Sequence, residues 1–375
     1  MYQYLLFFLL VPCLQVRAGE EFVALSVALA STNDTAVLIL DGREDSADVH
    51  RLPLLRGVKR LFLKGPAVTN VPQDIVRLPS LEEIGMVGCS ISEVTPAIAE
   101  LASLKILTIS EASVAGLPAG IGDLSALERL VVRKTKLATL PEGLGKLGSL
   151  WLLDLSMNEL RGLPDDLFSG PKLSAVNLEG NRLRELPPEI SMATNIVDLS
   201  LVNNSLTNLP DEIGSLTKLE TLSLFGNRIE RLPESIGNLR TLKVLDIRHN
   251  ALQNLVVSIG NLGNLRALRL DGNQLREIPP EIGNIQELRE LSLRDNHLGS
   301  LPVSICQLRK LLVLDISENP LVRLPDGIGG LKKLRRLTVD EGFPVEERRA
   351  ISNSLPRCVI ETSSSSNRGV NLPPK

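Results

Sequence analysis

Three groups of residues have types and spacing that could do chemistry. Gly143-Leu144-Gly145-Lys146-Leu147-Gly148 has the spacing of a phosphate-cradling G-x-G-x-x-G loop. Such a loop holds a dinucleotide only where a strand precedes it, a helix follows and an acid stands downstream. Here Gly145 is the glycine of a position that recurs along the chain, so the match belongs to a repeat. The three histidines, His50, His249 and His297, occupy different positions of that repeat. No Cys or His pair has metal-ligand spacing, and no G-x-S-x-G nucleophile turn occurs. Asp165-Asp166 and Glu82-Glu83 pair carboxylates at variable positions and read as solvated charges. An active site needs convergent groups in a pocket. Nothing in the sequence points to one, and the expectation is a non-enzyme without metal or cofactor.

The repeat governs everything else. Taking its Leu-x-Leu pair as origin, starts fall at 38, 61, 84, 107, 130, 153, 176, 199, 222, 245, 268, 291, 314 and 337, always 23 residues apart. Apolar residues recur at positions 0, 2, 7, 10, 14, 17 and 20 of each unit. The 0/2 alternation is that of a strand with one face buried. The later spacings fit a chain returning across the other side. One such unit cannot bury its apolar face alone, whereas stacked units enclose a continuous core.

Position 5 is Asn158, Asn181, Asn204, Asn227, Asn250, Asn273, Asn296 and Asn319. An inward Asn offers two donors and an acceptor. It suits backbone groups left unpaired where a strand turns out of a sheet, and the stacked side chains are expected to form a ladder. Pro66, Cys89, Ala112 and Thr135 stand there in the preceding units, so the N-terminal third is expected to be the looser end. Position 11 is Pro in ten units. Its preset φ and missing N–H suit an extended segment outside the ladder. Val256 and Thr95 at that position show a preference rather than a requirement.

Positions 1 and 3 flank the inward Leu and face out of the sheet. Position 1 runs Asp154, Asn177, Ser200, Ser223, Asp246, Arg269, Ser292, Asp315; position 3 runs Ser156, Glu179, Val202, Phe225, Arg248, Asp271, Arg294, Ser317. Neighbours in a column stand about 4.8 Å apart. Asp246 beside Arg269, and the series Arg248, Asp271, Arg294, read as opposite-sign ladders that are also compatible with an interface rim. Val202 and Phe225 are outward and apolar, and an exposed aromatic beside Arg248 has the character of a binding hot spot. His249 adjoins the same strand. The candidate partner-binding set is therefore Val202, Phe225, Arg248, His249, Arg269, Asp271 and Arg294.

The pattern Leu-x-x-Leu-Pro-x-x-Ile-Gly-x-Leu-x-x-Leu-x-x-Leu-x-Leu-x-x-Asn-x-Leu resembles the 23-residue class of the leucine-rich repeat family over about residues 24–361. That class includes cytosolic Ras-group scaffolds and many bacterial proteins. The resemblance implies an α/β solenoid, a horseshoe with a parallel concave sheet, 3₁₀ or irregular return segments and a cap at each end. It also implies protein binding. Val345–Ser354 followed by Leu355-Pro356-Arg357-Cys358-Val359-Ile360 is similar to the C-terminal caps of bacterial members, with Cys358 as a buried cap residue. Glu20–Leu29 reads as a short N-terminal helix, and Ala36–Leu40 as the first strand.

The chain of 375 residues has a net charge of −3 with both signs spread along it. No basic run of the kind a nucleic-acid footprint requires is present. Tyr4–Leu14 is apolar, too short to span a bilayer and of the length of a signal h-region; Val16-Arg17-Ala18 supports cleavage after Ala18. Met1-Tyr2-Gln3 lacks the usual basic residue. Leu10-Val11-Pro12-Cys13 loosely matches a lipidation box, from which Pro12 departs. Cys89, Cys306 and Cys358 fall in different units, a poor basis for disulfides. Asn33-Asp34-Thr35 and Asn203-Asn204-Ser205 match the glycosylation tripeptide. The expected organisation is a signal peptide at 1–18, an N-terminal cap at 19–37, repeats at 38–344, a C-terminal cap at 345–361 and a disordered tail at 362–375. The expected function is that of an exported, monomeric, non-catalytic module, secreted or periplasmic. It holds a protein or glycan on its concave face, with a membrane involved only through an N-terminal anchor. The alternative is a cytosolic Ras-group-like scaffold or phosphatase regulator. The sequence names neither partner nor organism.

Overall fold

The structure, a computed structural model, describes residues 23–30, 37–42 and 50–363. The expected signal peptide, Cys13, the Asn33 tripeptide, parts of the N-terminal cap and residues 364–375 lie outside the described residues. The chain divides into two compact units at Asn204/Ser205.

In the first unit nine parallel strands follow one another in chain order: Val23–Ala24, Val37–Leu40, Arg60–Lys64, Glu83–Val87, Ile106–Ser110, Arg129–Arg133, Leu152–Asp154, Ala175–Asn177 and Asp198–Ser200. The second unit has seven, also parallel: Thr221–Ser223, Val244–Asp246, Ala267–Arg269, Glu290–Ser292, Val313–Asp315, Arg336–Asp340 and Val359–Ser363. From Val37 on, paired residues are 23 positions apart, as in Leu61↔Ile84 and Leu222↔Leu245, whereas Val23 pairs with Leu38. That register carries Leu222, Leu224, Ile229, Leu232, Ile236, Leu239 and Leu242 into the core, all between 0% and 4% exposed.

The return segments are short 3₁₀ turns, and the Pro position immediately precedes them. Pro233 (φ −72, ψ 149) and Pro302 (φ −68, ψ 146) are extended N-caps; Val256 adopts the same conformation (φ −67, ψ 148). Successive turns approach closely at the Gly of Ile-Gly. A Cβ on Gly237 would stand 2.6 Å from the Ser258 carbonyl oxygen, and one on Gly260 equally near that of Glu281. Gly145 obeys the same geometry, its Cβ direction lying 2.0 Å from the Asp166 carbonyl, which accounts for the G-x-G-x-x-G match without a phosphate.

Strand length changes where the asparagines begin. Strands followed by Pro66, Cys89, Ala112 and Thr135 have five residues, those followed by Asn have three, and Arg336–Asp340, followed by Gly342, has five again. Asn181 shows the cause. Its Nδ2 donates to the Leu155 carbonyl of the preceding repeat at 2.9 Å and to Leu178 at 3.0 Å, while its Oδ1 accepts the Leu160 N–H at 3.0 Å. The parallel register would otherwise give the Leu155 carbonyl to the N–H of Glu179. That N–H turns instead to Asn177 Oδ1 at 3.1 Å. The asparagines thus do not bond to one another; each ties the backbones of two successive repeats. In the Asn-free repeats the longer ladder supplies the bonds, and Cys89 Sγ donates to the Leu63 carbonyl at 3.2 Å. The longer ladder thus serves the strand carbonyls that Asn serves elsewhere.

At the N-terminal end the helix is Leu25–Ala30, preceded by the strand Val23–Ala24, so it is shorter than the acidic helix read from Glu20. At the other end the helix Val345–Ser354 leads to a last strand that reaches Ser363, two residues into the stretch expected to be tail. Cys358 is half-buried rather than buried.

Candidate functional site

Six of the seven candidate residues belong to the second unit; Val202, half-buried and two residues beyond the strand Asp198–Ser200, belongs to the first. The positions that carry them follow from the local backbone. After each outward position 3 up to Ser317, the chain leaves the strand through a residue with positive φ. Glycine holds that place at Gly226 (φ 70) and Gly272 (φ 64), but so do His249 (φ 53), Asp295 (φ 55) and Glu318 (φ 57). A side chain in this left-handed conformation costs roughly 1 kcal/mol against glycine. The sequence reading missed this position, although its repeated glycines signal it.

His249 is wedged into place. Its ring meets Phe225 edge-on with centroids 5.1 Å apart, and its Nδ1 lies where a Cβ on Gly272 would reach 2.6 Å. The Arg248 guanidinium stands over the Phe225 ring at 5.3 Å, a cation–π contact. Phe225 is therefore half-buried, not the exposed aromatic expected. Phe225, Arg248 and His249 form one cluster drawn from two neighbouring repeats.

The charges pair differently from straight cross-strand ladders. Arg248 reaches back along its own strand to Asp246 at 2.6 Å, while Arg269 approaches Asp246 only to 3.9 Å and binds Glu290 at 2.7 Å. Asp271 accepts from Ser292 Oγ and from the Arg294 N–H at 3.1 Å, and Arg294 pairs with Glu318 at 2.7 Å. So Asp271 does not bridge Arg248 and Arg294 side chain to side chain. The missed partners, Glu290 and Glu318, sit at positions −1 and 4, outside the two columns. The hydrogen bond to Asp246 raises the Arg248 pKa, and that to Glu290 raises the pKa of Arg269. Burial pushes the Asp271 carboxyl up, against the Ser292 hydrogen bond and with the Asp315 charge adding.

No group of three or more His, Cys, Asp or Glu side chains among the described residues has a geometry that could hold a metal ion. The arrangement presents shape, one aromatic and oriented charges.

A leucine-rich repeat region model matches residues 242–355, and a leucine rich repeat model matches residues 171–229. Among solved structures the chain is similar to a leucine-rich repeat protein of Leptospira interrogans. The identity is 28% over 91% of this chain and 99% of that one, with a TM-score of 0.64. It shares its fold with an internalin of Listeria monocytogenes (19% identity, 91% and 93% coverage, TM-score 0.68). The same holds for the plant peptide hormone receptor RGFR1 in complex with RGF2 (22% identity, 92% and 65% coverage, TM-score 0.61). No curated protein matches the chain.

Proposed function

Because the chain is a leucine-rich repeat protein, we propose that it is a non-catalytic, exported binding module that holds another protein on the strand face of its second unit. The fold is typical of protein-binding scaffolds. The observation that carries the reading is the Phe225–Arg248–His249 cluster: an aromatic and two polar side chains fixed by contacts between repeats, one of them on strained backbone. Strain of this kind gathers at functional positions. A surface already ordered loses little entropy on binding. Arg269, Asp271 and Arg294 extend the face from the cluster.

Export rests on the apolar run Tyr4–Leu14, read as part of a signal peptide removed after Ala18. No helix among the described residues is long and apolar enough to cross a membrane. Residues 19–37 and 345–361 then serve as end caps around the repeats.

Two measurements test the proposal. The intact mass and N-terminal sequence of protein from fractionated native cells should show a chain beginning near Gly19 outside the cytoplasm; one retaining Met1 in the cytosol would overturn export. Cross-linking in the matching fraction should trap a protein on the wild type that Phe225→Ala loses while keeping its fold. Equal trapping by both would rule out the cluster as the contact.

A further inference from the structure

The charges on the strand face of the second unit neutralise one another: Arg248 with Asp246, Arg269 with Glu290, Arg294 with Glu318. Its edge is different. Position −2, just before each strand begins, continues the ladder by one bond. The N–H of Arg266 donates to the Lys243 carbonyl at 2.8 Å, Arg289 to Arg266 at 2.9 Å, Leu312 to Arg289 at 2.8 Å and Arg335 to Leu312 at 2.8 Å. These bonds stack the residues in a single file with a step of about 4.8 Å.

Lys243, at the head of the file, is neutralised by Glu220 at 2.6 Å. Arg266, Arg289 and Arg335 are exposed, and none has a carboxylate within 4.0 Å among the described residues. Glu287 pairs with Lys310, and the Arg289 and Arg266 charges also lower its pKa. Like charges held this close repel, and the Glu287 carboxylate, shared with Lys310, offsets them only in part. Across the same strands, position 4 carries Asp295 and Glu341, with Glu318 between them already paired to Arg294. The face therefore runs between a cationic edge and an anionic edge, a separation invisible in the evenly mixed sequence.

We propose that the partner lays an extended, acidic polypeptide segment along the Arg266–Arg289–Arg335 file, which fixes its orientation across the strand face. The inference rests on the binding role proposed above. A file one side chain wide fits a chain better than a flat surface, and the acids at the opposite edge would repel an anionic bilayer. Leu312, half-buried between Arg289 and Arg335, offers one apolar contact within the line.

A fluorescent glutamate-rich peptide titrated into the full chain tests this by anisotropy. We expect saturable binding of one peptide per chain at about 50 mM salt, weakening as salt rises. Arg266→Glu with Arg289→Glu should weaken it roughly tenfold or more. Arg231→Glu with Arg276→Glu, an equal charge change just before the prolines that lead into the return segments, should leave it intact. No peptide binding, or equal loss in both double variants, would overturn the proposal. So would tighter association with vesicles rich in anionic lipid that the first double variant abolishes, which would put a membrane on this edge. The binding role is tested separately. A trapped partner that needs Phe225 but ignores Arg266 and Arg289 removes the acidic segment and keeps the role; no trapped partner at all removes the role.

Discussion

Arg248 gives both its backbone N–H and its guanidinium to one side chain, the Asp246 carboxylate, at 3.2 Å and 2.6 Å. The reason lies in the preceding repeat. Asn250 Nδ2 takes the Leu224 carbonyl at 2.9 Å, the acceptor a longer strand would have offered that N–H. Asp154 and Asp315 serve the same N–H in their repeats, at 3.0 Å to Ser156 and 3.0 Å to Ser317. An acid at this position is thus a backbone acceptor, and Asp154 and Asp246 are buried rather than surface charges.

Asp246→Asn should keep that acceptor and lose the ion pair, with a small stability change, whereas Asp246→Ala should cost about 2 kcal/mol by orphaning a partly buried N–H. Urea unfolding of both variants checks this. Equal losses would show that the charge, not the acceptor, matters.

Asn273 is 6% exposed and serves the Ile247 and Leu270 carbonyls and the Leu252 N–H. Asn273→Ala should therefore cost more than a single hydrogen bond, about 3 kcal/mol or above. Asn→Leu at the same site should do no better, since the backbone groups remain unpaired. The midpoint of chemical unfolding reads the effect.

Native-state hydrogen exchange addresses the Asn-free repeats. Because their five-residue strands pair the carbonyls that Asn serves elsewhere, amides of Leu63, Met86 and Ile109 should be protected comparably to those of Leu178 and Leu270. Markedly faster exchange in the former would restore the idea of a loose N-terminal end.

Gly237→Ala should destabilise by at least about 2 kcal/mol, because overpacking against backbone cannot relax through a rotamer. Gly299, with nothing within 4 Å of its Cβ direction, is the matched control. Gly299→Ala is expected to leave the thermal midpoint near the parent's.

Acid should stabilise the first unit before it denatures it. Burial raises the Asp154 carboxyl above its ordinary range against the Ser156 hydrogen bonds and the Arg133 charge; it raises Glu179 too, with the Asp154 charge adding. Between the unfolded and the folded pKa the folded chain holds more protons, so stability falls as pH rises through that window and stays lower above it. Trp151, the single tryptophan, packs against Val131, Leu152 and Ala175 and reports unfolding there by fluorescence. Asp154→Asn should be the more stable chain near neutral pH and gain less on acidification, Glu179 alone remaining, since Asn177 already fills the equivalent role one repeat on. A less stable Asn variant at neutral pH would refute this.

The sequence by itself determined the coil. A strict 23-residue period, alternation at Leu222 and Leu224 and the Pro and Gly of each return segment leave one way to bury the apolar side chains, because each of those signals is local and repeats in register. The inward asparagines were also legible, since a buried amide must find backbone partners. Tertiary structure decided the rest. The shortening of the strands depends on which of two donors reaches a carbonyl in the preceding repeat. The retreat of Phe225 beneath Arg248, the choice of Glu290 as the partner of Arg269 and the seat of His249 against Phe225 and Gly272 depend on distances between residues about one period apart. The cationic edge arises because Arg266, Arg289 and Arg335 meet only when the coil stacks them. A composition of evenly mixed charge carries no record of which charges become neighbours.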